Sequence, residues 1–248
     1  MKITSLNNEL IKETAKLHQR KYRDEQRLFL LEGRKCVEEA ISSGLKIERV
    51  FVLDGEKEFS GTENILTNEA VLRKISTTET PPKVVAVANQ VNYKWNNNYN
   101  KIILLEGIKD AGNLGTIIRT SAAFGVDAVI LYGDTVDLYN PKCVRSSVGN
   151  LWKIPVFSMK SKDELIKISK NYSIIGTLPN SDNTVMLNDF KKKSKILIMF
   201  GSEASGLSAE LKNIADENIT IEMSDNVESL NLSISVGVVL YSLMTMSY

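Results

Sequence analysis

Cysteine and histidine are scarce in this chain. Two cysteines, Cys36 and Cys143, in 248 residues cannot form a disulfide framework, and the single histidine, His18, does not complete a zinc site with them. No metal is expected, and the few thiols suit a reducing, cytoplasmic setting. Long apolar runs are missing too. The longest near the end, "ISVGVVLYSLM", falls far short of the ~20 residues a membrane helix needs. The opening "MKITSLNNELIKETAKL" is too polar for a secretory signal. Net charge is nearly absent, with 31 basic against 30 acidic side chains, so the global balance selects no partner. Phosphate-loop chemistry is lacking as well. Gly107 and Gly112, and again Gly201 and Gly206, have the glycine spacing of a P-loop. The lysine that must follow is replaced by Asn113 and Leu207. No G-x-G-x-x-G follows a strand. These absences disfavour ATP hydrolysis and a Rossmann dinucleotide site, and the ligand expected is not a polyphosphate.

What is present is uneven charge and a change of texture along the chain. Residues 1–35 hold nine basic and five acidic side chains, and residues 36–80 hold five and nine. The N-terminal excess, with Lys16, Arg20, Lys21, Arg23 and Arg27 close together, is a candidate phosphate-binding face. Helices are expected over 5–20, 34–43 and about 68–76, and strands over 47–53 and 84–90. "NQVNYKWNNNYN" (89–100) has six asparagines in twelve residues, so a linker is expected near it. The division expected is 1–92 as a small α/β domain, 93–100 as linker and 101–248 as a second α/β domain.

In the second part, short apolar runs recur at 101–107, 127–133, 153–159, 172–178, 194–201 and 218–223. Helix-like segments at 114–124, 142–149, 161–170 and 206–215 separate several of them. That alternation predicts a mostly parallel sheet covered on both faces. The last helix, about 231–246, is apolar on most sides and is expected to be buried in the core or in a subunit interface. Ligands of such sheets collect at the carboxyl ends of strands. Three loops have that position: "GIKDAGNLG", "FGSEASGLS" and "EMSDNVESLNLS".

The order of residues in these loops resembles the SpoU (or TrmH) family of RNA ribose 2′-O-methyltransferases, within the SPOUT superfamily. "NLGTIIR" (Asn113 to Arg119), "GSEASG" (Gly201 to Gly206) and "SLNLS" (Ser229 to Ser233) look like its three motifs. "NPKCVRSSVGNLWKIPV" (140–156) looks like the stretch between the first two. Residues before the linker resemble an L30e-like substrate-binding domain. One departure stands out: Glu222 occupies the place of a usual proline between Ile221 and Met223.

The resemblance implies a trefoil knot in the second domain, a homodimer and S-adenosylmethionine (SAM) as cofactor. It implies Thr177, Leu178, Gly201, Gly206, Ile221, Met223, Leu230 and Asn231 as cofactor-binding residues. Asn113, Arg119, Glu203, Ser229 and Asn231 would be catalytic, and Lys16, Arg20, Lys21, Arg23, Arg27 and Arg145 would bind RNA. The reaction implied is methyl transfer to a ribose 2′-OH of structured RNA, with 23S ribosomal RNA favoured over transfer RNA. A non-catalytic RNA-binding protein is the alternative of another class. Arginine is effectively always protonated. Arg119 therefore suits phosphate orientation and stabilisation of a developing alkoxide, and the sequence leaves open whether a phosphate oxygen or Glu203 takes the proton.

Overall fold

A computed structural model of the chain describes residues 1–181, 183–191, 193–224, 226–227 and 229–246. The chain divides into two compact units. The first comprises Met1–Asn92 together with Asp137–Lys153, and the second comprises Tyr93–Val136 and Ile154–Tyr248.

In the first unit, β1 (Lys2–Ile3) precedes α1 (Glu9–Lys16), α2 (Arg20–Gln26), β2 (Leu28–Glu32) and α3 (Arg34–Ser42). Then come β3 (Ile47–Leu53), β4 (Asn64–Thr67), α4 (Glu69–Ile75) and β5 (Val84–Asn89). The sheet order is β1-β4-β3-β5-β2, parallel at β1-β4-β3 and antiparallel at β3-β5-β2. Ile11, Leu17, Leu30, Phe51, Ile65 and Leu72 lie in its buried core.

The helix expected over 5–20 covers only Glu9–Lys16, and a second begins at Arg20. After Lys16 the N–H groups of Leu17, His18 and Gln19 bond only three residues back, which tightens and ends α1. The Arg23 guanidinium accounts for the break, because it donates to the freed carbonyls of Leu17 (2.7 Å) and His18 (2.8 Å). β2 was not expected. Its five residues lie between two left-handed positions, Arg27 (φ 57) and Gly33 (φ 94).

The second unit runs β6 (Lys101–Glu106), α5 (Ala111–Ala123), β7 (Ala128–Tyr132), β8 (Val156–Met159), α7 (Lys162–Ser169) and β9 (Ser173–Thr177). It continues through β10 (Val185–Met186), β11 (Ile196–Phe200), α8 (Ala209–Lys212), β12 (Glu217–Thr220) and α9 (Leu232–Thr245). Between β7 and β8 the chain contributes α6 (Pro141–Ser146) to the first unit. The seven strands pair only in parallel, in the order β10-β12-β9-β11-β6-β7-β8. β7 and β11 are buried at every position, as apolar strands with both faces covered must be. The asparagine-rich stretch is no free linker. Trp95 and Tyr99 pack against this unit's core, Trp95 edge-on to Tyr99 and Phe157, and the Tyr172 hydroxyl donates to the Tyr99 carbonyl at 2.8 Å.

Candidate active site

Three loops at the carboxyl ends of β9, β11 and β12, together with the start of α9, enclose a cavity of about 410 Å³. That size lies within the ~300–1,000 Å³ usual for small-molecule sites. The eight residues expected to bind a cofactor, Thr177, Leu178, Gly201, Gly206, Ile221, Met223, Leu230 and Asn231, all line it, as do Glu203 and Ser229. Pro179, Phe200, Ser235 and Val239 line it too. Phe200, Ser235 and Val239 carry no motif signal, because they enter the wall from strand and helix, whereas Pro179 lies in the loop after β9.

The loop after β11 satisfies itself. The N–H of Gly206 donates to the Ser202 carbonyl (2.9 Å) and that of Ser205 to Ser202 Oγ (3.2 Å). Two amides that a P-loop would offer to phosphate are thus engaged inside the turn. Gly201 is needed for a related reason. A Cβ there would lie 1.9 Å from the Gly206 carbonyl carbon and 2.1 Å from the Leu207 nitrogen. The chain itself occupies the space that sequence reasoning reserves for close approach of a ligand. Thr177 and Leu178 are also tied down. The Thr177 hydroxyl donates to the Met199 carbonyl (2.9 Å), and the Leu178 N–H donates to the Ile219 carbonyl (3.0 Å).

The three motifs meet in one chain of hydrogen bonds. Asn231 is the N-cap of α9, and its Oδ1 accepts from the Ser233 N–H (2.9 Å), the Ser233 hydroxyl (2.6 Å) and the Ile234 N–H (3.4 Å). This fixes which end of the amide is oxygen. Asn231 Nδ2 then donates to Asn113 Oδ1 at 3.1 Å, and Asn113 Nδ2 donates to Glu203 Oε1. Asn113 sits in the first turn of α5, where its own N–H donates to the N-cap Asp110 (2.8 Å). Glu203 is the sole charged residue among the described lining residues. A cavity walled by apolar, hydroxyl and amide groups, with one carboxylate as its charged group, suits a cationic ligand and would repel a polyphosphate. The charge of SAM, a sulfonium with an amino-acid end, fits that lining.

Arg119 lies two turns further along α5, exposed and outside the cavity lining. Among the described residues its side chain has no hydrogen-bond or ion-pair partner, so the guanidinium is available to a ligand. Glu222 is exposed and lines an adjoining cleft with Leu187, Asn188 and Val238, to which Ile221 and Met223 also belong; those two neighbours line the cavity as well. Neither cysteine lines the cavity. Burial pushes the Cys36 thiol up to about 11 and raises that of Cys143 as well, so neither is a ready nucleophile.

Two expected RNA contacts are corrected by the structure. The Arg23 side chain is 3% exposed and donates twice to Asp137 Oδ2 at 2.5 and 2.8 Å, besides capping α1. Arg145 donates to the buried Glu32 carboxylate (3.1 Å) and to the Thr77 hydroxyl (2.6 Å). Both arginines are committed inside the first unit. Lys16, Arg20 and Lys21 are nearer the surface, paired with Glu13, Asp24 and Glu25. Arg27 is exposed at the end of α2. Exposed pairs along a helix contribute little and exchange readily for another anion.

Comparison with known proteins agrees with this geometry. Residues 100–241 match the SpoU rRNA Methylase family, and residues 8–86 match the MRM3-like substrate binding domain. The chain is 30% identical to a Bacillus subtilis 23S rRNA (guanosine(2553)-2′-O)-methyltransferase, over 97% of this chain and 98% of that one. It is 34% identical to an uncharacterized tRNA/rRNA methyltransferase of Synechocystis, over 96% and 92%. Among solved structures, an AdoMet-bound rRNA methyltransferase from Sinorhizobium meliloti superposes with a TM-score of 0.88 at 28% identity, covering 100% of this chain and 99% of that one. AviRb of Streptomyces viridochromogenes, a SpoU methyltransferase in complex with AdoMet, gives 0.84 at 26%, covering 96% and 97%. With its motifs joined around one cavity and an MRM3-like domain before them, the chain belongs to the SpoU rRNA methylase family.

Proposed function

We propose that this protein transfers the methyl group of SAM to a ribose 2′-OH of 23S ribosomal RNA. The observation that carries the reading is the relay from the α9 N-terminus through Asn231 and Asn113 to Glu203, beside a cavity whose charge suits a sulfonium. When bound, SAM supplies an electrophilic methyl carbon and a thioether leaving group, so no metal is needed. Thr177, Leu178, Gly201, Ile221, Met223 and Leu230 would hold it, through backbone and apolar groups of the cavity wall. The acceptor would be the lone pair of the ribose 2′-oxygen, and the groups around it must orient that oxygen and take up its hydroxyl proton. Arg119 keeps its charge, holds an RNA phosphate and stabilises the developing alkoxide. Glu203 has one oxygen fixed by Asn113 and a second with which to take the proton, and an RNA phosphate oxygen is the competing acceptor. Ser229 and Asn231 keep the ribose in register.

RNA is held by the exposed cations of the first unit, Lys16, Arg20, Lys21 and Arg27. The nucleotide is not fixed by family membership. Relatives 30%, 28% and 25% identical are named for a guanosine, a uridine and an adenosine of 23S rRNA. We also infer a cytoplasmic homodimer and the knotted topology of the family. For the dimer, Ile234, Val238, Tyr241 and Met244 form an exposed apolar stripe along α9, 38–57% accessible, and such a stripe calls for a partner. Among the described residues no helix is long and apolar enough to cross a membrane. The test is a map of 2′-O-methyl sites in cellular RNA with and without the protein. One site in 23S rRNA should vanish without it. An unchanged map, or a lost site in transfer RNA, would overturn the assignment.

A further inference from the structure

The family-level division gives residues 8–86 to substrate binding and 100–241 to methyl transfer. The structure divides the chain differently, because Asp137–Lys153 packs with the first unit. Three charge pairs, eight residues apart along this segment, clasp it there. Asp137 meets Arg23 at 2.5 Å with both side chains at least nine-tenths buried. Arg145 meets Glu32 at 3.1 Å, where the carboxylate also takes the Thr77 N–H (2.9 Å) and hydroxyl (2.7 Å). Lys153 meets Glu39 at 2.9 Å.

Apolar contacts fill the spaces between the clasps. The Tyr139 ring lies 4.7 Å from that of Phe29, and its hydroxyl accepts from the Val91 N–H (2.9 Å) and donates to the Val91 carbonyl (3.2 Å). Cys143, Val144, Leu151 and Trp152 are buried. Gly149 is seated closely enough that a Cβ there would lie 3.2 Å from Glu39 Cβ.

We propose that Asp137–Lys153 is an obligatory piece of the substrate-binding unit, so that this unit folds from two separated stretches and is completed only by chain from the methylase half. A buried Arg23 cation without Asp137, and a buried Glu32 carboxylate without Arg145, would each be left uncompensated. The core around Ile11, Leu30 and Phe51 draws on residues 1–92 alone, so during synthesis it is the face carrying Arg23, Phe29 and Glu32 that must wait for residue 153. A fragment such as 95–248 would bare Tyr139, Val144 and Trp152, so truncation cannot separate RNA binding from catalysis in this protein. The inference rests on packing alone and stands or falls independently of the RNA assignment.

The test is hydrogen exchange followed by mass spectrometry on the full chain, comparing wild type with Asp137→Asn, which keeps shape and removes the charge. Peptides covering 20–32 and 139–152 should speed up together by on the order of 10²-fold, with β6 and β11 unchanged. Arg145→Gln, at a half-exposed clasp, should loosen the same two regions by about tenfold. It serves if Asp137→Asn does not fold. Faster exchange confined to 137–153 would make the segment a surface loop and overturn the proposal. Equal acceleration in β6 and β7 would tie the segment to the second unit as much as to the first and overturn it as well.

Discussion

At the scale of single residues, Asn231 has two tasks that can be separated. Its oxygen caps α9 and its nitrogen donates to Asn113. Asn231→Asp keeps the cap, and a carboxylate at a helix N-terminus is favoured by the dipole. It also places a carboxylate oxygen against Asn113 Oδ1, where a donor was. Thermal stability should stay within about 1 kcal/mol, while methyl transfer falls roughly 10–100-fold for the loss of one aligned charged-relay hydrogen bond. Unfolding curves beside single-turnover rates check this, and equal losses in both would make Asn231 only a cap. Gly201→Ala should fail differently. Its Cβ meets the backbone of residues 206 and 207, so a stability loss of about 3 kcal/mol is expected, visible in denaturant melts without any ligand. Val148 is left-handed at φ 48 and exposed, a conformation costly for a β-branched side chain. Val148→Asn should therefore raise stability by roughly 1 kcal/mol, seen as a higher denaturation midpoint.

Among secondary-structure elements, α9 shows how one helix serves two environments. Leu232, Val236, Val239, Leu240 and Leu243 face the core, and Ile234, Val238, Tyr241 and Met244 face outward. Gly237 faces Thr120 of α5 in the same chain, and Ser235 lines the cavity. The outward stripe is the face on which the proposed dimer would pair. Ile234→Asp with Tyr241→Lys should lower the solution mass from dimer to monomer at micromolar concentration. A wild-type monomer at that concentration would remove the dimer. The strands were legible because continuous apolar runs such as "IILL" and "ILIMF" have few other uses in a soluble chain. β2 was missed although "LFLL" is a run of the same kind, because it is short and directly follows a basic helix. The break between α1 and α2 was hidden for another reason: its cause is Arg23, whose partner Asp137 is 114 residues away.

Over the whole molecule, the motif residues were legible because order and spacing of polar residues in glycine loops survive in sequence, and the cavity lining follows them closely. The charge reading was weaker. It counted Arg23 among the N-terminal surface cations, and no local pattern reveals that a distant carboxylate has claimed it. The cations that remain exposed should govern RNA affinity. Arg27→Ala should weaken binding of ribosomal RNA fragments and lower the slope of log affinity against log salt by about 0.7–0.9, measured by filter binding across a salt series. The central claim is methylation of ribose oxygen by this chain's own groups. The most direct measurement incubates the protein with SAM labelled in the methyl group and ribosomal RNA lacking its modifications, digests the RNA to nucleosides and identifies the labelled species, with SAM affinity measured in parallel. The account predicts a single 2′-O-methylnucleoside from the wild type, and a loss of roughly 10²–10³ in rate for Arg119→Ala with SAM affinity nearly unchanged. Label on a base, or near wild-type transfer by Arg119→Ala, would contradict it.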